Sequence, residues 1–227
     1  MAFQPYVSPE QLTKDRSEYA RKGIAKGRSV VAFEYADGIL FVAENPSGTL
    51  RKISEIYDRI AFAGVGKYSE YENLRIAGVQ LADVRGYSYG REDVTAKTLA
   101  NAYSQALSNI FTVQIKPYEV EILVGQVGDT SAENELYHIL FDGSVADERG
   151  FVAVGGRADE LGDKLRSGYS ENLSLQDAVK LGVNTLSSLE EQPIDAPNLE
   201  VAVLDRTRER RKFRRLLDAE VDHILKA

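Results

Sequence analysis

Two apolar segments joined by an Asp-Gly turn constrain the fold more than any other feature of this chain. Residues 29–35 and 39–44 are rich in β-forming side chains, and Ala36-Asp37-Gly38 connects them. Asp-Gly between two such segments predicts a tight hairpin, so the two strands are antiparallel. Both segments are apolar at successive positions. An antiparallel pair buried on both faces needs a layer on each side, and we expect a second sheet on one side and helices on the other.

The remaining periodicity predicts the other layers. An amphipathic helix is expected over 9–23, with Ser8 as N-cap, Pro9 at the first helical position and Gln11 completing a capping box. Strands are predicted at 52–57, 60–66, 118–127, 135–142, 151–155, 199–205 and 212–216. Helices are predicted around 71–82, 99–111, 159–169, 174–189 and 219–225. This order predicts an α+β fold, a four-layer αββα sandwich of two antiparallel sheets between helix layers with an extra N-terminal helix.

The domain organisation is predicted to be simple. We expect residues 1–8 to form a flexible tail and residues 9–227 to form a single domain. A hydrophobic fraction of 43% is sufficient for a core of that size. The stretch 190–198, which contains Pro193 and Pro197, is the only plausible flexible connection, and it is too short to divide domains.

The composition excludes several classes of function. With no Cys and only His138 and His223, the chain has little from which to build a metal site or a Ser-His-Asp triad, and we expect no cofactor and no metal. A net charge of −7 argues against a nucleic-acid partner. No apolar run has the length of a membrane span and no signal peptide is visible, so we expect a cytoplasmic protein without a membrane partner.

Three local patterns are better explained by structure than by function. Gly64-Val65-Gly66-Lys67 precedes a helix but lacks the full spacing of a phosphate-binding loop and its Ser or Thr after the Lys. The basic run 206–215 suits a charged edge strand, with an inter-subunit contact or a nucleic-acid patch as alternatives. His138 is interpreted as a structural residue within a strand and His223 as a solvated one.

An ordered set of motifs covers nearly the whole chain and resembles 20S proteasome α subunits, which belong to the N-terminal-nucleophile hydrolase superfamily. The motifs are Glu18-Tyr19-Ala20-Arg21, Gly27-Arg28-Ser29-Val30-Val31, Asp37-Gly38-Ile39-Leu40, Lys52-Ile53, Asp58-Arg59-Ile60-Ala61, Lys116-Pro117-Tyr118, Leu136-Tyr137 and Asp142-Gly143-Ser144. The start at 6–11 and the stretch Gly86-Tyr87-Ser88-Tyr89 resemble the actinobacterial type. The resemblance also implies the αββα fold.

The start of the first strand separates the two kinds of proteasome subunit. A catalytic β subunit needs a Thr that processing has made its own N-terminus, and here Arg28-Ser29 occupies that place. Glu44 and Lys52 match the family's supporting acid and lysine. The resemblance therefore implies a non-catalytic subunit of a threonine-type endopeptidase complex, with catalysis in the β subunit. The alternative is a self-processed N-terminal-nucleophile peptidase using Ser29, which requires cleavage after Arg28 and loss of the preceding helix.

The resemblance further implies an assembly and a gate for protein degradation. The α subunits of the family form homo-heptameric rings that cap the β subunit rings, and their N-terminal tails close the axial pore. The gate candidates in this chain are Phe3, Pro5, Tyr6, Val7 and Ser8. The Tyr-Asp-Arg triplet that orders the gate in many archaeal and eukaryotic α subunits is absent before Ser8, so gate closure here is expected to use different contacts.

A docking pocket is the last implication of the resemblance. Lys52 matches the lysine that lines the pocket between adjacent α subunits, where a ring-shaped ATPase or other activator inserts its C-terminal tail. A lysine suits this role because it offers a compact cation to a free carboxylate. Gly66 matches a glycine beside the pocket, and Glu18 matches a helix acid near it.

Overall fold

The computed structural model describes residues 8–227. Phe3, Pro5, Tyr6 and Val7, four of the predicted gate residues, therefore lie outside the described residues. The helices of the described part are α1 (Pro9–Ile24), α2 (Tyr68–Ser88), α3 (Ala96–Val113), α4 (Ala158–Gly168), α5 (Leu175–Ser187) and α6 (Asp218–Lys226). Its strands are β1 (Val30–Tyr35), β2 (Gly38–Glu44), β3 (Ile53–Tyr57), β4 (Ile60–Gly66), β5 (Val120–Gln126), β6 (Glu135–Ile139), β7 (Val145–Asp147), β8 (Phe151–Val154), β9 (Leu199–Asp205) and β10 (Phe213–Arg215).

The strands form two five-stranded antiparallel sheets. Sheet 1 has the order β10-β9-β2-β1-β8, and sheet 2 has the order β3-β4-β5-β6-β7. The predicted hairpin is confirmed: β1 and β2 pair in register from Tyr35 opposite Gly38 to Val30 opposite Ala43. A side chain at Gly38 would overlap the carbonyl oxygen of Leu204, so this turn requires glycine to pass close to β9.

Three apolar clusters separate four layers, as the hairpin predicts. Successive residues of β1 point to opposite faces, so that Val30 and Ala32 lie between the two sheets whereas Val31 and Phe33 face α4, α5 and α6. The far face of sheet 2 packs on α2 and α3 through a third cluster. The α+β, four-layer αββα sandwich with an N-terminal helix is therefore confirmed. Burial of both faces explains why apolar and polar residues do not alternate along these strands.

Helix α1 covers one open end of the space between the sheets. Ser8 caps it by accepting a hydrogen bond from the backbone N–H of Gln11 at 3.2 Å, and Ala20 and Ile24 join the inter-sheet cluster. The predicted capping box is wrong in one detail: the Gln11 side-chain amide donates to Asp15 at 2.6 Å, and the Gln11 side chain does not accept from the backbone N–H of Ser8.

The sequence did not predict strand β7, which forms the edge of sheet 2. Val145, Ala146 and Asp147 are all exposed and only Val145 is strongly β-forming, so the segment carries no burial pattern. The predicted strand over 135–142 ends earlier, at Ile139, where the chain turns toward β7. Pairing with β6, and not side-chain burial, therefore holds β7 in place.

Candidate functional site

Two of the predicted pocket residues, Lys52 and Gly66, lie at the same end of sheet 2. Lys52 immediately precedes β3 and Gly66 ends β4, and the backbone N–H of Gly64 donates to the Lys52 carbonyl oxygen at 3.0 Å. The connection from α1 to β1 lies over this end: a side chain added at Gly27 would stand 2.8 Å from the backbone nitrogen of Gly66. Three chain segments thus converge around Lys52.

The Lys52 amine is half-buried and bonded to the main chain. Its Nζ donates to the carbonyl oxygen of Arg28, and within residues 8–227 it forms no ion pair with a carboxylate. Burial is the main cause that lowers the pKa of Lys52; the carboxylate of Glu200 opposes this shift and the nearby Arg28 cation adds to it, and the resulting pKa is about 8. An ammonium has three N–H donors, and within the described residues only one of those of Lys52 is bonded. The other donors can therefore bind an anionic partner.

Glu200, which was not predicted from the sequence, also belongs to this end of the sandwich. Glu200 in β9 is 3% exposed, and its carboxylate accepts hydrogen bonds from the backbone N–H groups of Lys52 at 2.9 Å and Ile53 at 3.2 Å. A signal was present in the sequence, since Glu200 is the one charged residue in the otherwise apolar run 199–204. Charged residues are almost never fully buried unless they are paired.

Gly66 has a backbone conformation that side chains rarely adopt. Its φ is +100°, and a side chain would overlap the carbonyl oxygen of Glu119. That carbonyl accepts a hydrogen bond from the backbone N–H of Lys67 at 2.9 Å, which fixes the turn from β4 into α2. Glycine at this position is therefore required by the turn itself, in addition to any space that it leaves beside Lys52.

We expect Gly66→Ala to destabilise the fold. The positive φ and the overlap with the Glu119 carbonyl together place the cost at about 2–3 kcal/mol. Urea unfolding of the purified chain, followed by circular dichroism, measures it. Gly48→Ala is the matched control, because a side chain at Gly48 meets nothing within 4 Å. Equal midpoints for the two variants would contradict the prediction.

The remaining predicted site residues within the described part, Glu18 and Ser8, belong to α1 and its N-cap. Glu18 is exposed on α1 and lies 3.9 Å from the amine of Lys22, one helical turn later. Within the described residues no hydrogen bond or ion pair joins Glu18 to Lys52. Ser8 serves as the N-cap of α1. The described part therefore places Lys52 and Gly66 at one strand end and pairs Glu18 with a residue of its own helix.

A small cavity of about 170 Å³ lies next to this end, beside the start of β1. Arg28, Ser29 and Glu44 line it, and the Arg28 guanidinium forms an ion pair with Glu44. The acid and lysine predicted from the sequence, Glu44 and Lys52, thus both contact Arg28. The backbone continues from α1 through Arg28 to Ser29. In this form of the chain Ser29 has no α-amino group that could act as a base.

The other local patterns have structural roles. His138 lies in β6 with its Nε2 3.2 Å from a carboxylate oxygen of Glu121, and His223 is exposed on α6. β10 is the edge strand of sheet 1, as the charged-edge interpretation of the basic run predicts. Several cations of this run pair with carboxylates: Arg211 with Glu55, Arg214 with Glu220, and Arg215 with Glu200.

The fold and the strand-end geometry place the chain in the class of αββα sandwich proteins. A sequence profile described as "Proteasome subunit" matches residues 24–204. The proteasome subunit alpha of Xylanimonas cellulosilytica is 58% identical over 98% of this chain and 96% of its own length. That of Kineococcus radiotolerans is 59% identical over 93% of this chain and 92% of its own. The chain belongs to the proteasome subunit family, and its resemblance to actinobacterial alpha subunits is confirmed.

No helix within residues 8–227 combines the length and the apolar composition needed to cross a membrane.

Proposed function

We propose that this chain is a non-catalytic α subunit of a bacterial 20S proteasome. On this proposal residues 9–227 form one domain that assembles into a homo-heptameric ring, and this ring stacks on a ring of β subunits that carry the catalytic threonines. Residues 1–8 gate the entry of substrates, and a ring-shaped ATPase or other activator docks through its C-terminal tail. Family membership supports the assembly, since the relatives carry the name proteasome subunit alpha.

One observation carries the non-catalytic assignment. The carbonyl oxygen of Arg28 accepts the hydrogen bond of the Lys52 amine, and the same residue pairs with Glu44. Lys52 and Glu44 therefore both contact Arg28, the residue after which self-processing would have to cleave to free Ser29. Helix α1, which such processing would also remove, buries Ala20 and Ile24 in the inter-sheet core. These contacts favour an unprocessed chain without a nucleophile.

Ser29→Ala tests this assignment against the self-processed peptidase. We expect the mass of the purified chain to show α1 still attached in both wild type and variant, because nothing is cleaved after Arg28. We also expect the assembled α/β particle to hydrolyse peptides at the wild-type rate. A wild-type chain that begins at Ser29, or a variant particle that loses activity, would establish the alternative function.

The docking assignment rests on the environment of Lys52. Its half-buried amine has one hydrogen-bond partner in the described part of the chain, and that partner is a neutral carbonyl. A partner's terminal carboxylate would supply a charge-assisted bond, which is stronger than a bond between neutral groups. Gly66, beside the same strand end, presents no side chain toward an incoming peptide. Glu18, on the helix that leads to this end, is the third residue of the proposed pocket.

A further inference from the structure

Glu200 is a charged residue in an otherwise apolar part of the core. It occupies β9 at a position whose inward neighbours, Ala202 and Leu204, belong to the apolar cluster between the sheets. Its side chain is 1% exposed. Removing a carboxylate from water costs several kcal/mol even after relaxation, so that an apolar residue of similar size is often at least as stabilising. Stability alone does not account for a charge at this position.

The buried carboxylate is fully hydrogen-bonded, and its partners come from three directions. Oε2 accepts from the Asn45 side-chain amide at 2.7 Å and from the backbone N–H of Lys52 at 2.9 Å. Oε1 accepts from the backbone N–H of Ile53 at 3.2 Å and from the Arg215 guanidinium. Four donors are thus directed at two oxygens, which only an ionised carboxylate accepts without conflict.

These bonds hold the segment that carries the docking lysine. β3 is an edge strand of sheet 2, and Glu200 on sheet 1 holds its first residue and the residue before it by their backbone N–H groups. Arg215 completes the clamp by donating its second nitrogen to the Ile53 carbonyl oxygen at 2.6 Å. Asn45 extends it by donating to the Leu50 carbonyl oxygen at 2.8 Å. One buried carboxylate therefore organises the chain on both sides of Lys52.

We propose that Glu200 is the positioning residue of the activator-docking site: it fixes the backbone of Lys52 and keeps its amine ready to bind a terminal carboxylate. This inference rests on the docking role proposed above for Lys52. Glu200 contacts no activator itself, since it is buried beneath the strand end. It acts through the backbone clamp and through its negative charge, which favours the ammonium form of Lys52.

Glu200→Gln removes the charge while keeping the size of the side chain. A glutamine offers one acceptor oxygen, and its NH₂ group faces donors that it cannot accept. We expect the pKa of Lys52 to fall below its wild-type value of about 8, because burial and the Arg28 cation then act without opposition. Docking should weaken for two reasons, a loosened backbone and a smaller fraction of ammonium.

The test measures binding to the assembled α/β particle from pH 6.5 to pH 9.5. The probe is a decapeptide with the C-terminal sequence and free carboxylate of the cognate ring ATPase, and its amidated form is the blank. Loss of a hydrogen-bonded charge predicts about tenfold weaker binding by Glu200→Gln at neutral pH. The midpoint of its pH profile should also move to lower pH, which a merely structural defect would not cause.

Glu34→Gln is the matched control. Glu34 also joins the two sheets through side-chain and backbone donors, Asn134 at 2.7 Å and Gly150 at 3.1 Å, but has no bond to Lys52. This variant should keep the wild-type affinity and midpoint. If Glu200→Gln does not assemble, Asn45→Ala removes one donor of the clamp and should weaken binding in the same direction.

The outcomes separate the two proposals. Normal probe binding by Lys52→Ala would overturn the docking role itself. Weakened binding by Lys52→Ala, together with wild-type affinity and midpoint for Glu200→Gln, or wild-type affinity for its substitute Asn45→Ala, would overturn the positioning role alone. An equal loss in Glu34→Gln would show that the effect is a general loss of sheet packing, and this also overturns it.

Discussion

Lys52→Ala is expected to abolish most activator-stimulated protein degradation while ring assembly and basal peptide hydrolysis continue. On the proposed docking role, the substitution would remove a charge-assisted hydrogen bond to a terminal carboxylate, which is worth about 1.5–3 kcal/mol, or roughly 10- to 100-fold in affinity at each site. Repetition around the proposed ring would multiply the effect on a partner that docks several tails at once. Degradation of an unfolded protein with activator and ATP, compared with hydrolysis of a short peptide without activator, measures the two activities.

The same site predicts a pH dependence with a defined sign. The activator's carboxylate needs the ammonium form of Lys52, and the pKa of Lys52 is lowered to about 8. Docking should therefore be strongest below pH 8 and weaken as the pH rises through that value. A fully solvated lysine would hold its charge to about pH 10. Binding that is constant up to pH 9.5 would contradict the pKa of this amine.

Lys212→Ala is the matched control for Lys52→Ala. Lys212 is buried, and like the Lys52 amine its amine donates to backbone carbonyl oxygens, those of Arg206 and Arg208. It lies at the other end of β3, where its backbone N–H bonds to the Asp58 carbonyl oxygen at 2.9 Å. Stimulation should survive in this variant. Wild-type stimulation of Lys52→Ala would contradict the docking role, and equal losses in both would indicate a stability defect.

Deleting Met1–Val7 is expected to raise the peptide hydrolysis of the assembled α/β particle several-fold. On the proposed function these residues close the axial pore, so their removal leaves a permanently open entrance. The deletion keeps Ser8 because that residue caps α1, and loss of the cap would cost about 1 kcal/mol of helix stability. Initial rates with a short fluorogenic peptide, at equal particle concentrations, give the comparison.

Particles with two further variants serve as controls for the deletion. Ser8→Ala in the full-length chain loses the cap but keeps the tail, and should hydrolyse peptides at the basal rate. The deletion combined with Lys52→Ala should be as active as the deletion alone, because an open pore needs no activator. An unchanged rate in the Met1–Val7 deletion would remove the gate assignment.

Much of the fold could be predicted because hydrophobic burial is recorded in the sequence. The apolar faces of β1 and β2 and the Asp37-Gly38 turn specify a buried antiparallel pair, and from it the layers on both sides follow. Strand β7 could not be predicted, because it is held by backbone pairing at an exposed edge and its side chains are exposed. Local patterns thus predict elements that bury side chains and miss those that only pair.

The candidate site was less accessible to sequence reasoning. Lys52 and Gly66 were identified through the family resemblance, and the described fold places them at one end of sheet 2. Glu200 was not predicted as a site residue because its partners are far away along the chain: it is 148 residues from Lys52 and 155 from Asn45. A single charge in an apolar strand indicates that some buried partner exists, but spacing cannot identify a partner brought in by tertiary packing.

The attachment of α1 has a mechanical consequence. The Arg16 guanidinium donates to the carbonyl oxygens of Phe111 at 2.6 Å and Thr112 at 2.9 Å, while Ala20 and Ile24 are embedded between the sheets. A pulling force directed along the axis of α1 would therefore load these contacts together in shear. Peeling would break them one at a time. Helix α1 is thus anchored to the sandwich at several points, and tension along its axis would have to break these contacts together.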